Sequence, residues 1–190
     1  MDKFLTENKI ELPNSDIPEK KAKIDSKILE KLNNKLGVDI KIFCMLPENG
    51  GTWTGEKGNS EWIPDDNVIP GDRGGTNPNG KTWKELKKEY GFESIPFKDG
   101  EPDFSKVAKA EIQIDNFSES RSKNFSQADI KLAEKGGCSP QEVKKWRIEN
   151  KYTWHECKDC KTMQLVPTEV HGNIPHSGGI AETKSKNKAA

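Results

Sequence analysis

The most informative part of this sequence is Tyr152-Thr-Trp-His-Glu-Cys-Lys-Asp-Cys-Lys-Thr-Met-Gln-Leu-Val-Pro-Thr-Glu-Val-His-Gly-Asn-Ile-Pro-His-Ser-Gly-Gly179. It contains all three histidines of the 190-residue chain, His155, His171 and His176, together with two cysteines and several carboxylates. Neutral imidazole is the commonest protein ligand for transition metals, and it also acts as a general base near neutral pH. Three histidines grouped in this way predict a metal site.

The residue types of this stretch predict two strands followed by a short helix. Residues 152–156 and 162–166 hold β-branched, aromatic and long apolar side chains, and the polar residues between them favour a tight connection. Pro167 suits the first position of a helix that carries His171, and Gly172 ends that helix before His176. Two strands and a helix with potential ligands at both ends form a ββα-metal unit.

The rest of the sequence predicts a small α+β domain that ends in this unit and is preceded by an N-terminal helix. Apolar residues recur every three or four positions from Pro18 to Leu36, which is the pattern of an amphipathic helix. Trp53 and Trp62 bracket a turn in a predicted short hairpin, within a region dense in glycine and proline. Further elements are predicted as helices at 82–90, 126–134 and 140–150, a loop at 95–104 and a strand at 106–114.

Composition limits the classes of function. The formal net charge is zero, so no global field points to a nucleic-acid partner, but residues 118–190 carry a net charge of +4 and allow a local basic face. No apolar run approaches the roughly 18–20 residues of a membrane span, and the N-terminus lacks the apolar core of a signal peptide. We therefore expect no membrane association, and either a cytosolic protein or a piece of a larger exported one.

One interpretation of the histidine cluster is a structural zinc site. The spacing Cys157-x2-Cys160-x10-His171-x4-His176 is close to that of the two-cysteine, two-histidine zinc finger, although the central gap is two residues short. A finger also requires both histidines on one continuous helix, which Gly172 and Pro175 interrupt. A zinc-finger-like nucleic-acid-binding module is therefore the alternative to an enzyme.

The same stretch resembles the Trp-His-His branch of the HNH/endonuclease VII toxin nucleases, which includes colicin-like DNase domains and the C-terminal domains of polymorphic and contact-dependent toxins. The resemblance rests on Tyr152-Thr-Trp-His-Glu, Asp159, Met163-Gln-Leu-Val-Pro, His171 and His176-Ser-Gly-Gly. Weaker similarity extends upstream through Gly100-Glu-Pro-Asp-Phe104 and Arg121 to Trp146-Arg147, so that residues 95–180 resemble one such domain.

The resemblance implies a ββα-metal (His-Me finger) fold and a site for one divalent ion, Mg, Mn, Zn or Ni. By similarity, His155 and His171 are its metal ligands, and His176 completes the metal shell or contacts phosphate. Glu156 stands where the branch has a second histidine, the general base, and a carboxylate is ordinarily a weaker base. The alternative makes His155 the base and lets Glu156 or Asp159 join the metal. Cys157 and Cys160 have no clear role in a nuclease and are either inert or ligands of a second ion.

Two arginines are candidates for neutralising phosphate, Arg121 and Arg147, because the guanidinium group makes bidentate, charge-assisted contacts. The alternative for each is a salt bridge within the domain. Lysines near the C-terminus predict a disordered basic tail that adds only non-specific affinity.

The resemblance implies a division of the chain and a biological role. Residues 1–46 are predicted as an N-terminal tail, helix and connector, and residues 47–190 as the toxin nuclease domain, with the ββα-metal core at 151–180 and the basic tail at 181–190. The implied function is metal-dependent hydrolysis of DNA by a secreted or delivered effector that acts in the target-cell cytoplasm. A cognate immunity protein is the implied partner, and an RNase toxin of the same fold is the alternative.

Overall fold

The computed structural model describes residues 45–71 and 74–189. The predicted N-terminal helix at 18–36 lies outside these residues, as does most of the N-terminal segment 1–46. Within the described part of the chain, no helix has both the length and the apolar character to cross a membrane.

Four short strands form the first sheet, in the order β1-β2-β3-β4 with antiparallel neighbours. They are β1 (Gly51–Trp53), β2 (Glu61–Pro64), β3 (Ile95–Lys98) and β4 (Glu101–Pro102). The predicted hairpin is confirmed, because Trp53 lies directly opposite Trp62 in the β1–β2 register.

The prediction of a loop at 95–104 was wrong, since this segment contains β3 and β4. Asp99 and Gly100 connect the two strands with φ angles of +51° and +75°. A two-residue turn with positive φ at both positions matches the right-handed twist of a hairpin, and Asp-Gly is a preferred sequence for it. The turn thus holds Glu101 opposite Lys98.

Three strands form the second sheet, in the order β5-β7-β6, and again all neighbours are antiparallel. They are β5 (Ala110–Gln113), β6 (Tyr152–Glu156) and β7 (Thr162–Pro167). The strands predicted at 152–156 and 162–166 are confirmed, and His155 lies opposite Gln164. The strand predicted at 106–114 is confirmed only for its second half.

Five helices complete the described chain: α1 (Trp83–Tyr90), α2 (Arg121–Gly136), α3 (Pro140–Glu149), α4 (Thr168–His171) and α5 (Gly179–Ala189). α1 and α3 begin at capping boxes built on Thr82 and Ser139, which satisfy the first free backbone N–H groups. α2 begins five residues before the predicted start of 126. The connection from α4 to α5 runs through the loop that holds His176.

The prediction of a disordered tail at 181–190 was wrong, because α5 extends to Ala189. Alanine, glutamate and lysine are good helix formers. The helix is also attached to the second sheet, since Cys160 in the β6–β7 turn contacts Thr183 with an Sγ–Oγ1 distance of 3.4 Å.

Two hydrophobic cores lie on different faces of the chain around β6 and β7. The first includes Phe104, Val166 and Val170, and the second includes Trp154 and Leu165. Successive residues of a strand point to opposite faces. His155 therefore faces Phe104 and the first core, while its neighbours Trp154 and Glu156 face α2.

Candidate metal centre

The structure brings the three histidines together from three different places. His155 lies on β6, His171 is the last residue of α4, and His176 lies in the loop before α5. Nδ1 of His155 is 3.2 Å from Nε2 of His171. One ring nitrogen from each histidine lies within 4.8 Å of those of the other two. The spacing in sequence thus becomes a single cluster of ligand atoms in space.

The histidine cluster is electrically neutral near neutral pH. Burial lowers the pKa of His155 and of His171 well below the ordinary value, and it also lowers the pKa of His176. The ring of Phe104 lies against all three imidazoles, with centroid distances of 5.0, 5.5 and 5.5 Å. Neutral imidazole is the form that binds metal.

One tautomer in the cluster follows from a hydrogen bond. Nδ1 of His176 is 2.7 Å from the backbone carbonyl oxygen of Ile174. Because a carbonyl oxygen can only accept, the proton of this ring is on Nδ1, and Nε2 keeps its lone pair. A backbone carbonyl that fixes the orientation of a histidine is a common second partner of metal-binding imidazoles.

The residues present fit a divalent metal ion. Two nitrogens that bind the same ion in a tetrahedral arrangement, each at about 2.0–2.1 Å from it, are roughly 3.3 Å apart. The distance between His155 Nδ1 and His171 Nε2 is close to this, at 3.2 Å. The third nitrogen comes from His176, whose Nε2 is free to bind. Three neutral imidazoles are a donor set suited to zinc, nickel, copper or iron.

The short helix α4 is fixed by contacts from α1 and the segment before it. The carboxylate of Glu169 is 2% exposed and accepts hydrogen bonds from the Tyr90 hydroxyl at 2.6 Å and the Lys81 ammonium at 2.9 Å. At its other end, Gly172 packs so closely on Thr76 that a Cβ atom there would lie 2.3 Å from the threonine methyl group. These contacts hold His171 in place.

Glu156 lies next to His155 in sequence but is bound to α2. Its Oε1 accepts a hydrogen bond from the Asn124 amide at 2.8 Å, and its Oε2 accepts one from Arg121 Nε at 3.2 Å. The carboxylate is buried, whereas the Arg121 side chain is 66% exposed. All three predicted ligands, Glu156 and Arg121 line one open cleft of about 340 Å³.

The two predicted phosphate contacts have different surroundings. Arg121 lies at the edge of the cleft. Arg147 donates two hydrogen bonds to Asp129, at 3.1 and 3.0 Å, and is only 8% exposed. Asp129 also accepts from the indole N–H of Trp154 at 2.8 Å. The structure thus shows the intradomain salt bridge that was the alternative for Arg147.

The cysteines do not join the histidine cluster. Cys160 Sγ contacts α5, and Cys157 groups instead with Glu101 and His155. Burial and nearby carboxylates raise the pKa of the Cys157 thiol. Asp159 accepts hydrogen bonds from Lys161 and Thr162 within the β6–β7 turn. Among the described residues, the two cysteines and two histidines of the zinc-finger pattern therefore do not come together around one point.

The start of α5 forms one wall of the cleft and depends on two glycines. A Cβ atom on Gly178 would lie 2.6 Å from the carbonyl oxygen of Glu156, and one on Gly179 would lie 2.4 Å from that of Cys157. Contacts this short do not occur for real side chains, so the close approach requires glycine. Lys184, one turn further along α5, adds a second positive charge to the cleft.

Sequence reasoning missed three residues that shape the site: Phe104, Asn124 and Glu101. Phe104 lies under the histidines, Asn124 binds Glu156, and Glu101 Oε1 lies 4.0 Å from His155 Nε2. All three fall in segments of the weaker upstream resemblance. No periodicity or spacing indicated them, because each reaches the site from a distant part of the chain.

Comparison with known proteins agrees with the resemblance of the sequence. Residues 94–178 match the family model of the DNase/tRNase domain of colicin-like bacteriocins. This range holds the three histidines, Glu156 and Arg121, and it nearly coincides with residues 95–180 of the resemblance. The match supports a nuclease toxin domain, and hence a hydrolase that acts on nucleic acid. No curated protein matches the chain.

Proposed function

We propose, from the match of residues 94–178 to the colicin-like DNase/tRNase domain, that this chain is a metal-dependent endonuclease of the Trp-His-His branch of HNH toxins. The observation that carries the proposal is the convergence of three neutral histidine side chains in one cleft within the matched range. β6, β7 and α4 follow one another as two antiparallel strands and a helical turn, the order of a ββα-metal core.

His155, His171 and His176 are the proposed ligands of one divalent ion. When bound, such an ion polarises the scissile phosphate and stabilises the leaving 3′ oxygen. An all-imidazole donor set favours zinc or nickel over magnesium, which prefers carboxylate and water oxygens. We therefore rank Zn²⁺ and Ni²⁺ before Mn²⁺ and Mg²⁺.

We assign the role of proton acceptor to Glu156. Nδ1 of His155 faces the other ligands, so the lone pair of that ring is committed to the metal. The hydrogen bonds from Arg121 and Asn124 fix the Glu156 carboxylate in the wall of the cleft, next to His155 in the chain. His155 as the base remains the alternative that a variant of Glu156 tests.

Arg121 is the proposed phosphate contact. It is the more exposed partner of its ion pair with Glu156, and its guanidinium retains N–H donors beyond the single bond that Nε makes. Lys184 lies in the same cleft. With Glu156 paired to Arg121, the two cations leave this cleft one net positive charge before any metal binds, and a bound divalent ion would add to its attraction for the nucleic-acid backbone.

DNA is the favoured substrate, and RNA is the second candidate because the matched family is described as DNase/tRNase. The family resemblance also supports a delivered toxin effector and a cognate immunity protein that covers the cleft. The near-neutral net charge of the chain argues against sequence-specific recognition of a duplex.

One incubation separates the substrates. Purified full chain is mixed with supercoiled plasmid and total RNA in parallel, in a series of Zn²⁺, Ni²⁺, Mn²⁺ and Mg²⁺, with and without EDTA. We expect plasmid cleavage that EDTA abolishes, and we expect Glu156→Gln to lower the rate while zinc affinity is retained. Selective loss of tRNA or rRNA would identify the RNase instead, and intact nucleic acid in every metal would reject the nuclease.

A further inference from the structure

His155 has a buried polar atom that the proposed metal site does not use. Its side chain is 1% exposed, and Nε2 has no hydrogen-bond partner among residues 45–71 and 74–189. Nδ1 of the same ring is the nitrogen that faces His171. A buried N–H group that lacks a partner is rare in folded proteins, so Nε2 requires an explanation.

The nearest carboxylate to this atom belongs to Glu101, whose Oε1 lies 4.0 Å from Nε2. Glu101 is placed by β4 and by the tight turn at Asp99-Gly100, and its Oε1 accepts a hydrogen bond from the backbone N–H of Lys158. The anchor and the histidine lie at opposite ends of one short segment, from His155 to Lys158. The chain just after β6 therefore holds the Glu101 carboxylate beside the His155 ring, which β6 itself carries.

We propose that Glu101 is a positioning residue that accepts the Nε2 proton of His155 and thereby presents Nδ1 of that ring to the metal. The separation of 4.0 Å is longer than a hydrogen bond, but the Glu101 side chain is 26% exposed and can move. A shift of about 1 Å, or one bridging water, completes the contact. A carboxylate that accepts the second ring proton of a ligand histidine fixes the tautomer of that histidine. It also makes the other ring nitrogen a stronger electron-pair donor to the metal.

This inference rests on the proposed metal site and concerns the residue behind it. Cys157 also lies near Glu101 and His155, so that the three could instead form a second cation site. The two arrangements differ in stoichiometry, because a positioning role requires one ion per chain and a second site requires two. Zinc binding by the full chain therefore separates them.

The test compares Glu101→Ala and Glu101→Gln with the wild-type full chain. Zinc affinity is measured by competition with a chromophoric chelator, and the His155 tautomer is read from long-range ¹H–¹⁵N spectra of the zinc-loaded protein. We expect Glu101→Ala to bind zinc about 10–100-fold more weakly. Glu101→Gln, whose amide oxygen still accepts a proton, should restore most of this loss and keep Nε2 protonated.

Glu182→Gln is the matched control, since Glu182 lines the same acidic cavity as Glu101 and carries the same charge. We expect this variant to bind zinc as the wild type does. Equal affinity in Glu101→Ala, a second zinc ion per chain, or an equal loss in Glu182→Gln would overturn the inference. If Glu101→Ala does not fold, Glu101→Leu, which is close to glutamate in size but has no acceptor, replaces it: the same loss of zinc affinity supports the role, and no loss rejects it.

The proposed function fails in a different way. A wild-type chain that binds neither zinc nor cobalt would reject the metal site and, with it, this inference. A wild-type chain that binds zinc and a Glu101→Ala variant that binds it equally would reject the inference alone.

Discussion

We expect the three histidine rings around Phe104 to make the stability of the protein sensitive to acid. Burial lowers the pKa of each ring in the folded chain below the ordinary value of 6.5, which the unfolded chain retains. Below that value the unfolded chain binds more protons than the folded one. The contribution of these rings to the free energy of unfolding is therefore fully present above about pH 6.5. It is lost as the pH falls from there toward the lower pKa values of the rings in the folded chain.

We predict that the metal-free protein melts at a lower temperature as the pH falls from about 7.5 to about 5.5. His171→Asn should reduce this dependence, because one of the three groups is removed. Carboxylates whose pKa is lowered in the folded chain, such as Asp103, lose their contribution to stability only at more acidic pH. Burial raises the pKa of Glu101, so this group makes the folded chain more stable as the pH falls, which opposes the effect of the histidines. Thermal unfolding that is unchanged over this range would contradict the prediction.

Arg121 and Arg147 should separate activity from stability. Arg147→Ala leaves Asp129 buried without its charged partner, and we expect a loss of about 3–5 kcal/mol in the free energy of unfolding. Arg121→Ala also takes a charged partner from a buried carboxylate, but Glu156 keeps its hydrogen bond from Asn124, so we expect a smaller loss than in Arg147→Ala, together with slower cleavage. Urea titration and plasmid cleavage measure the two effects. Normal cleavage in Arg121→Ala would remove its proposed role.

Sequence indicated the histidines but not their surroundings. His155, His171 and His176 stood out because imidazole is rare in this chain and clustered in one stretch. Arg147 could not be distinguished from Arg121, because both are arginines on helices and only the fold places Asp129 against one of them. Glu101 and Asn124 lie 54 and 31 residues before His155 in the chain, and no local pattern reports contacts over that distance.

At the scale of elements, the close contact between β6 and the start of α5 forms a wall of the cleft. Gly178 is required there because a Cβ atom would meet the backbone of Glu156. The carbonyl oxygen of Gly178 also accepts the first hydrogen bonds of α5, from Ala181 and Glu182. A larger residue must push α5 away from the sheet, and Lys184 would move with it.

We predict that Gly178→Ala destabilises the chain by about 1–3 kcal/mol and slows cleavage, because backbone atoms must shift to admit the methyl group. Gly71→Ala is the control, since a Cβ atom there meets nothing within 4 Å. The free energy of unfolding of Gly71→Ala should differ from that of the wild type by less than about 0.5 kcal/mol. Equal stability of the two variants in urea titration would show that α5 is not held as described.

Elements with a strong local signal were predicted well. The β6 and β7 strands follow from their β-branched and aromatic residues, and α3 follows from Ser139 and Pro140 at its start. The β3–β4 hairpin was missed because its strands have four and two residues, too few for alternation to show. The helix α5 was missed because it has no apolar face; it depends on its attachment to the β6–β7 turn.

At the scale of the whole molecule, the zero net charge divides into opposite local fields. The histidine cleft holds two cations and one carboxylate, Arg121, Lys184 and Glu156. The cavity beside Glu101 holds five carboxylates and two lysines: Asp99, Glu101, Asp103, Asp159, Glu182, Lys98 and Lys158. The net charge of the sequence does not reveal how these charges are distributed, because the distribution depends on which loops the fold brings together. The basic side is where we expect the nucleic-acid backbone to bind.

We expect the fold to be independent of the metal, in contrast to a zinc finger. Two hydrophobic cores of large buried side chains surround the site. We predict that EDTA leaves the circular dichroism spectrum unchanged, and that zinc at 100 times its dissociation constant stabilises the chain by about 2.7 kcal/mol. Unfolding by EDTA, as expected of a zinc-finger-like module, would contradict this prediction.

We propose that the three histidines hold a metal ion that drives cleavage of nucleic acid. The most direct measurement is the cleavage of supercoiled plasmid by the wild-type chain and by His171→Ala, at equal concentration and in the same metal series. We predict nicked and linear plasmid with the wild type, and a rate at least about a hundredfold lower with a folded His171→Ala. Cleavage by His171→Ala at the wild-type rate would contradict the claim.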